Sequence, residues 1–183
     1  MSTALIIVDI QNDYFPNGKM ELSNPDRAAA NAAKVLDWFR QNNKDRIFHV
    51  QHIASSPEAG FFLPNTEGAE LHETVLPLEH ESIIVKSFPN SFLKTDLESK
   101  LREKDITKVV VAGMMTHMCI DATVRAAVDL GFETTLIEDA CATRDLSYQD
   151  RIIPADQVHY AFVGALHGIY ANVISTEEFL QQN

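Results

Sequence analysis

Six short runs of apolar residues recur along the chain, and the segments between them carry apolar side chains at helical spacing. The runs do not alternate apolar with polar residues, so each predicts a strand that is buried on both faces. Such strands, separated by helices, indicate a parallel sheet with helices on both sides. With 183 residues, the chain has the length of one α/β domain, which we place at residues 1–183. The predicted strands cover residues 4–8, 47–52, 83–86, 109–112, 134–137 and 171–174.

Local signals predict where several helices begin. Asn24 and Pro25 are typical of an N-cap followed by a first-turn proline. Residues 95–98 and 175–178 have the spacing of a capping box, in which Thr or Ser is followed three residues later by Glu. A further helix is predicted over residues 118–130, closed by the glycine that follows it.

The charge balance excludes some classes of partner. The chain has 15 Lys and Arg residues against 26 Asp and Glu residues, a formal charge of −11. Without a basic patch, we expect neither a nucleic acid nor an anionic membrane as a partner. Residues 128–183 hold only two cations, Arg144 and Arg151, against nine acids, which we interpret as a solvated acidic surface.

Cysteine content and hydropathy indicate the compartment. Two cysteines are too few for a disulfide framework. Nothing resembles a signal peptide, and no stretch approaches the roughly 20 apolar residues of a membrane helix. We therefore expect a cytoplasmic protein whose thiols stay free.

One connection differs from the others because it is long and rich in proline and glycine. Residues 54–82 have little helical spacing, and long loops of this kind in a compact domain are often functional. The loop contains Phe61 and Phe62 side by side. Their rings either pack against the core under the loop, or one of them lines a pocket.

Three reactive residues follow predicted strands, where ligands of open α/β sheets bind. Asp9 follows the first strand, Lys86 ends the third, and Cys119 follows the fourth after a short turn. Each also has an ordinary interpretation: a turn-capping carboxylate, a cation whose stem packs while its ammonium reaches water, and a small buried hydrophobe. Together they supply an acid/base, a cation and a nucleophile on one rim.

The predicted position of Cys119 at a helix N-terminus favours a thiolate, because the helix dipole and the free N–H groups stabilise negative charge. The same N–H groups could hold an oxyanion. Cys141 also follows a strand, but no clear helix begins there, so we interpret it as structural.

The chain resembles the isochorismatase-like family of cysteine hydrolases over nearly its whole length. Each motif is weak alone, but their order and spacing are specific. The motifs are VDIQNDYF at 8–15, Val85-Lys86 with Phe88 and Asn90-Ser91-Phe92, GMMTHMC at 113–119, DATVRAA at 121–127 and EDACAT at 138–143.

The resemblance implies a three-layer, Rossmann-like fold with a six-stranded parallel sheet and a catalytic triad of Asp9, Lys86 and Cys119. Cys119 would attack a carbonyl carbon and form an acyl-enzyme, with Asp9 moving protons and Lys86 stabilising the charged groups. A cis peptide between Met114 and Met115 is also implied. It would aim the N–H groups of Met115 and Cys119, the expected oxyanion hole, at the substrate.

The resemblance further suggests a homo-oligomer, a dimer or a tetramer, acting on a small-molecule amide or related carbonyl compound. The Phe61 and Phe62 loop is a candidate to reach a neighbouring subunit's site. The candidate substrate-binding residues are Gln11, Phe15, Phe61, Phe62 and His117.

One departure from the family pattern indicates which subgroup of the family the chain resembles. Nicotinamidases of the family place an Asp-x-His metal pair after the second strand, where this chain has Gln51-His52-Ile53. We therefore expect no catalytic metal, no cofactor and no nicotinamidase activity. The histidines show no tight metal spacing, and polar packing is the simpler interpretation. They are His49, His52, His72 and His80.

Two alternatives to amide hydrolysis stay open. Family members that act as true isochorismatases have glycine in place of the cysteine and hydrolyse a vinyl ether by proton transfer, which here would use Asp9 and Lys86. A non-enzymatic thiol sensor or ligand-binding module on the same fold is the second alternative. The presence of Asp9, Lys86 and Cys119 together argues against it, because a binding module needs no such trio.

Overall fold

The computed structural model describes residues 2–182 and confirms the predicted parallel sheet. The strand order is β3-β2-β1-β4-β5-β8, and all neighbours within this sheet are parallel. These six strands include those predicted from the apolar runs. Their bounds are β1 Ser2–Val8, β2 Ile47–His52, β3 Ser82–Lys86, β4 Ile106–Met114, β5 Glu133–Ala142 and β8 Asn172–Ile174.

Helices cover both faces of the sheet, which gives the three layers. On one face, α1 (Pro25–Asn42) and α5 (Thr176–Gln182) pack their apolar side chains against Leu5, Ile7 and their neighbours. On the other face, α2 (Leu97–Glu103), α3 (Asp121–Asp129) and α4 (Ala155–Leu166) pack against Ile6, Val8 and theirs. Burial of these two clusters is the main force holding the fold together.

The helix starts agree only partly with the sequence signals. Ser175 and Glu178 form the predicted capping box, since the Glu178 N–H donates to Ser175 Oγ at 3.2 Å and the Ser175 N–H donates to Glu178 Oε2 at 2.7 Å. The second predicted box does not form, because α2 begins after Asp96, whose side chain makes no capping bond. Asn24 does precede Pro25 at the start of α1, but its side chain makes no capping bond either.

Two elements differ from the sequence prediction. The helix expected over residues 118–130 forms as α3, Asp121–Asp129, but its predicted start belongs to a preceding π-helical turn, Thr116–Ile120. An antiparallel hairpin of β6 (Leu146–Tyr148) and β7 (Arg151–Ile153) was not predicted, because its strands are short and largely exposed. Within residues 2–182, no helix has the length and apolar character needed to cross a membrane.

The centre of the sheet is where the chain order reverses, between β1 and β4. Ligands of open α/β folds bind in the crevice beyond the strand ends at such a switch point. Gly113, near the end of β4, lies so close to β1 that a Cβ atom there would overlap the backbone of Val8, and its φ is +134°. This glycine lets the two central strands approach each other just below the crevice.

Candidate active site

Four neighbouring strands deliver the polar side chains of the crevice. In sheet order, Lys86 ends β3, His52 ends β2 and Asp9 directly follows β1, while β4 leads into the π-helical turn that carries Cys119. His52 and Lys86 are register partners in the β2–β3 pair. Parallel strands end at one edge of the sheet, so these side chains converge.

The ammonium group of Lys86 lies at the centre of the cluster. Its Nζ donates to Asp9 Oδ2 at 2.7 Å, lies 3.0 Å from His52 Nδ1 and lies 3.2 Å from Cys119 Sγ. An ammonium has three N–H donors, and these three acceptors use all of them. The structure therefore brings together the three residues predicted as a triad and adds His52.

Asp9 keeps one oxygen available. Its side chain and that of Lys86 are fully removed from solvent, and Cys119 is only 5% exposed. Oδ2 accepts from Lys86, whereas Oδ1 is buried and has no hydrogen-bond partner within residues 2–182. A buried, unpartnered carboxylate oxygen is costly unless it has a role, and here it is free to accept a proton.

The electrostatics of the cluster favour a protonated thiol next to an ammonium. Burial, and then the negative charge of Asp9, raise the pKa of the Cys119 thiol well above its usual value, against the opposing charge of Lys86. Burial works against the ammonium, but Asp9 and Cys119 outweigh it and raise the pKa of Lys86. This differs from the thiolate expected from the sequence, because the residue is buried beside a carboxylate rather than exposed at a plain helix end.

His52 is the member of the cluster that sequence reasoning interpreted as packing. Burial, and then the charge of Lys86, lower its pKa, so the ring is neutral and Nδ1 can accept from the ammonium. The sequence did contain a signal for His52. It ends a strand that lies between the strands of Lys86 and Asp9, and a position at a strand end is what singled out Lys86 and Asp9.

Ligand atoms of Asp9, His52 and Cys119 lie within 4.8 Å of one another, close enough to be considered as a cation site. The Lys86 ammonium contacts all three residues. A divalent ion would have to displace it, so this donor set as arranged does not fit a metal.

The turn between β4 and α3 contains the predicted oxyanion-hole residues. The peptide bond between Met114 and Met115 is cis, at the position the resemblance implied. Met115 and Cys119 are both buried, and the Met115 carbonyl accepts from the N–H groups of Met118 and Ile120 at 3.0 and 3.2 Å. The role of their N–H groups toward substrate stays a prediction.

An aromatic wall stands beside His52. The ring of Phe62 lies 5.9 Å from that of His52 and 4.6 Å from that of Tyr14, centroid to centroid, and Phe61 packs against Phe62 at 4.9 Å. Phe62 is fully buried within the chain, whereas Phe61 is partly exposed. The loop therefore both covers the core and borders the site, so the two interpretations of these rings are not exclusive.

The buried carboxylate of Asp13 holds this loop in place. Its Oδ2 accepts from the Phe62 N–H at 2.6 Å, and its Oδ1 accepts from the Lys19 N–H at 3.1 Å. Gly68 lies against the same carboxylate so closely that any side chain there would overlap it. Asp13 thereby holds the 54–82 loop by a hydrogen bond at Phe62 and packs closely against Gly68 of the same loop.

The remaining predicted substrate-binding residues make structural contacts. The Gln11 amide donates to the carbonyls of His52 and Ala69 and accepts from the His52 N–H, which uses its hydrogen-bonding groups. Phe15 is buried and stacks on His72 with a centroid distance of 3.5 Å. A substrate contact for Gln11 and Phe15 stays a prediction.

His117, two residues before Cys119, is half-buried, and its Nδ1 lies 2.5 Å from Thr143 Oγ1. Burial, and then the charge of Arg144, lower the pKa of this histidine. A neutral ring bound to a hydroxyl beside the nucleophile turn is suited to hydrogen bonding with a polar ligand, which stays a prediction for His117.

Comparison with known proteins agrees with this fold and arrangement. The family model described as Isochorismatase domain matches residues 3–178. The uncharacterized isochorismatase family protein YddQ of Bacillus subtilis is 59% identical over 99% of this chain and 100% of its own length. A solved structure of an isochorismatase hydrolase from Oleispira antarctica superposes with a TM-score of 0.94 at 45% identity, covering 98% of this chain and 96% of the other.

A more distant relative, the nicotinamidase of Escherichia coli, is 27% identical over 80% of this chain and 86% of its own length. The chain thus belongs to the isochorismatase family of hydrolases.

Proposed function

We propose that this isochorismatase-family hydrolase is a metal-independent cysteine hydrolase that cleaves a small amide or related carbonyl compound through an acyl-enzyme at Cys119. The observation that carries the proposal is the single ammonium of Lys86 in contact with both Asp9 and Cys119. A base, a nucleophile and a cation that holds them together are the parts that nucleophilic catalysis requires.

The first half of the reaction transfers the acyl group to sulfur. The free Oδ1 of Asp9 takes the thiol proton as Cys119 Sγ attacks the carbonyl carbon, and a C–S bond forms. The oxygen of the tetrahedral intermediate is negative, and the N–H groups of Met115 and Cys119 are the candidate donors to it. Asp9 then gives its proton to the leaving nitrogen, the C–N bond breaks and the amine departs.

The second half returns the enzyme to its starting state. Asp9 removes a proton from a water molecule, whose oxygen attacks the thioester carbon. The C–S bond breaks, the sulfur recovers a proton through Asp9, and the carboxylic acid is released. Lys86 supports both halves because its positive charge offsets the negative charge that moves between Asp9 and Cys119.

A screen of small amides and isochorismate, with mass spectrometry for a covalent adduct on Cys119, tests the proposal. Removing a catalytic nucleophile costs several orders of magnitude in turnover, so Cys119→Ala should abolish hydrolysis of the best amide and the adduct. The matched control is Cys141→Ala, since Cys141 is a second buried thiol, bonded to the Ile137 carbonyl rather than to Lys86. It should retain activity.

The same variants decide between the alternatives. If Cys119→Ala retains most of the activity, the covalent mechanism is wrong, and vinyl ether hydrolysis by Asp9 and Lys86 becomes the better proposal. If wild type turns over none of these compounds while Cys119 still reacts reversibly with oxidants, the non-enzymatic thiol-sensor alternative is favoured.

The proposal includes assembly into a homo-oligomer, a dimer or a tetramer. Several large apolar side chains are exposed in the single chain, among them Tyr160 at 68%, Ile152 at 72% and Ile169 at 80%. Surfaces of this kind commonly mark protein interfaces. Light scattering should give a mass of two or four chains at micromolar concentration, and a monomer mass would contradict the assembly.

A further inference from the structure

The π-helical turn Thr116–Ile120, which carries Cys119, has no side-chain cap at its start within residues 2–182. Turns of this geometry are rare and occur frequently at functional sites. The Met115 carbonyl accepts from the N–H groups of Met118 and Ile120, but these bonds lie within the turn and its flank. Attachment of the turn to neighbouring elements is therefore left to side chains.

Thr116, the first residue of the turn, attaches it to two other elements. Its Oγ1 lies 3.3 Å from the carbonyl oxygen of Ala142, at the end of β5, and 3.0 Å from Nδ1 of His159, on α4. Thr116 is fully buried, so a hydroxyl without partners there would be costly. The hydroxyl can donate its proton to either group and can accept from an imidazole N–H. In each case the start of the turn is bonded to α4, to β5 or to both.

A carboxylate holds the far side of the imidazole. Nε2 of His159 lies 3.4 Å from Oε2 of Glu138, on β5. The side chain of His159 is only 13% exposed and that of Glu138 is 31% exposed, so solvent competes only partly for this contact. A carboxylate accepts hydrogen bonds and does not donate them, so Nε2 is the donor here. Nδ1 of a neutral ring is then the acceptor for the Thr116 hydroxyl, and one chain of bonds links all three side chains.

The turn is thus held at both ends by different parts of the fold. At its start, Thr116 contacts His159, and the next residue, His117, contacts the hydroxyl of Thr143 just after β5. Near its other end, the sulfur of Cys119 contacts the ammonium of Lys86 on β3. A change at the start of the turn therefore moves the sulfur relative to groups that stay with β1 and β3.

We infer that His159 and Thr116 are positioning residues for Cys119. Their hydrogen bond fixes the start of the turn and thereby sets where the sulfur lies relative to Asp9 and Lys86. The inference rests on the proposed cysteine hydrolysis and adds to it two residues that act through the turn. A displacement of about 1 Å at a reacting group can cost about 100-fold in rate, so this contact has a large effect on the chemistry.

The rate at which iodoacetamide alkylates Cys119 reports on the position of the sulfur without knowledge of the substrate. The sulfur forms a C–S bond, the C–I bond breaks, iodide leaves and the thiol proton passes to Asp9. Because burial and Asp9 keep the thiol protonated, alkylation needs a base within reach. A displaced sulfur loses that base and reacts more slowly. The measured quantity is the second-order rate constant, obtained by mass spectrometry of the peptide that contains Cys119.

Thr116→Val keeps the shape of the side chain and removes the hydroxyl, so it should lower the rate constant about tenfold, the effect of losing a buried hydrogen bond. Thr116→Ser restores the hydroxyl and should return the rate constant to within about threefold of wild type. The matched control is Thr134→Val, at a buried threonine whose hydroxyl donates to the Phe132 carbonyl at the other end of β5. It should lower the melting temperature as Thr116→Val does but change the rate constant less than about twofold.

His159 provides a second set of variants. Its ring borders a cavity of about 260 Å³, so a different side chain there leaves no sealed void in the core. His159→Leu should slow alkylation about tenfold, whereas His159→Asn, which places an amide near the position of Nδ1, should recover most of the rate. The control is His167→Leu, at an exposed histidine that follows α4, which should match wild type. The double variant of Thr116→Val with His159→Leu should be no slower than the slower single variant, because both act through one bond.

The outcomes separate the two proposals. If iodoacetamide does not label Cys119 in wild type, the proposed covalent function fails and the positioning role fails with it. If Cys119 is labelled but Thr116→Val and His159→Leu react as fast as wild type, the positioning role is refuted and the hydrolase proposal stands. The positioning role is also refuted if Thr134→Val slows alkylation equally, or if the serine and asparagine variants restore nothing.

Discussion

Nζ of Lys86 lies 3.0 Å from Nδ1 of His52, at the ends of two paired strands. The remaining two N–H groups of the ammonium point to Asp9 and Cys119. The imidazole therefore acts as the third anchor of the cation and sets the direction of its bonds to the base and the nucleophile. We regard His52 as a positioning residue for Lys86.

Replacing His52 by leucine should lower kcat/KM about tenfold, the usual effect of losing one hydrogen bond to a charged group. The expected cause is a less well-fixed ammonium, so the pH dependence of Cys119 alkylation should shift together with the rate. The control is His80→Leu, at an exposed histidine. An equal loss in both variants, or an unchanged alkylation profile in His52→Leu, would contradict the positioning role.

The His52 ring should also produce a loss of activity in acid. Its pKa is lowered from 6.5, so it is neutral at neutral pH and takes up a proton only below that value. The imidazolium would then face the Lys86 ammonium, with Asp9 and Cys119 as the other charged or titratable groups around it. We expect kcat/KM to fall as pH drops below about 6.5, with a smaller fall in His52→Asn, measured from rate profiles of both proteins.

Chelation should leave the wild-type activity intact, because the Lys86 ammonium already contacts the possible metal ligands. The measurement is turnover before and after dialysis against EDTA. Activity lost on dialysis and restored by zinc or iron would show that the interpretation of residues 51–53 is wrong.

Removing the ammonium should turn the same groups into a zinc site. In Lys86→Ala, ligand atoms of Asp9, His52 and Cys119 remain within 4.8 Å of one another, and three such ligands with a water suit tetrahedral Zn²⁺. Calorimetric titration should detect Zn²⁺ binding to this variant at concentrations where wild type binds none. The double variant with His52→Leu should lose that binding; equal binding by all three proteins would contradict the idea.

A separate buried network predicts the stability of the fold in acid. Glu81 accepts from Arg40 Nε at 2.8 Å, from the Leu78 N–H at 2.9 Å and from His49 Nε2 at 2.8 Å. Burial opposes ionisation, but these hydrogen bonds prevail and lower the pKa of Glu81 from 4.5 to about 2. The stability that the folded carboxylate contributes is complete above pH 4.5 and is lost as pH falls toward 2.

Glu81→Gln should therefore lower the melting temperature near neutral pH and should weaken its fall between about pH 4.5 and pH 2. The control is Glu79→Gln, at an exposed neighbour, which should match wild type across the range. Thermal unfolding followed by circular dichroism makes the comparison. A melting temperature of Glu81→Gln that depends on pH as strongly as that of wild type would contradict the assignment.

The parts of this structure that sequence predicted are those set by local pattern. The buried strands follow from continuous apolar runs. Asp9 and Lys86 stand out because a charged side chain directly after a buried strand must reach solvent or find a partner. The hairpin of β6 and β7 was not predicted, because Ile152 and Ile153 are exposed and apolar residues in such a short strand show no periodic pattern.

One further feature depends on a partner that is distant in sequence. The state of the Cys119 thiol depends on burial and on Asp9, which lies far away in the chain. The rule that a helix N-terminus favours a thiolate considers only the local backbone. It therefore predicted a charged Cys119, whereas the structure favours the protonated thiol.

The contacts of Asp13 with the 54–82 loop divide that loop into parts that differ in their tolerance to changes in length. Residues 55–60 lie outside the segment between the two contact points, Phe62 and Gly68, and are largely exposed. We expect insertions there to lengthen the loop without moving the aromatic wall, whereas a deletion between Phe62 and Gly68 should disturb the contacts of both with the carboxylate. The six residues of this tip can therefore change in length while the carboxylate keeps Phe62, and the rings packed on it, in place.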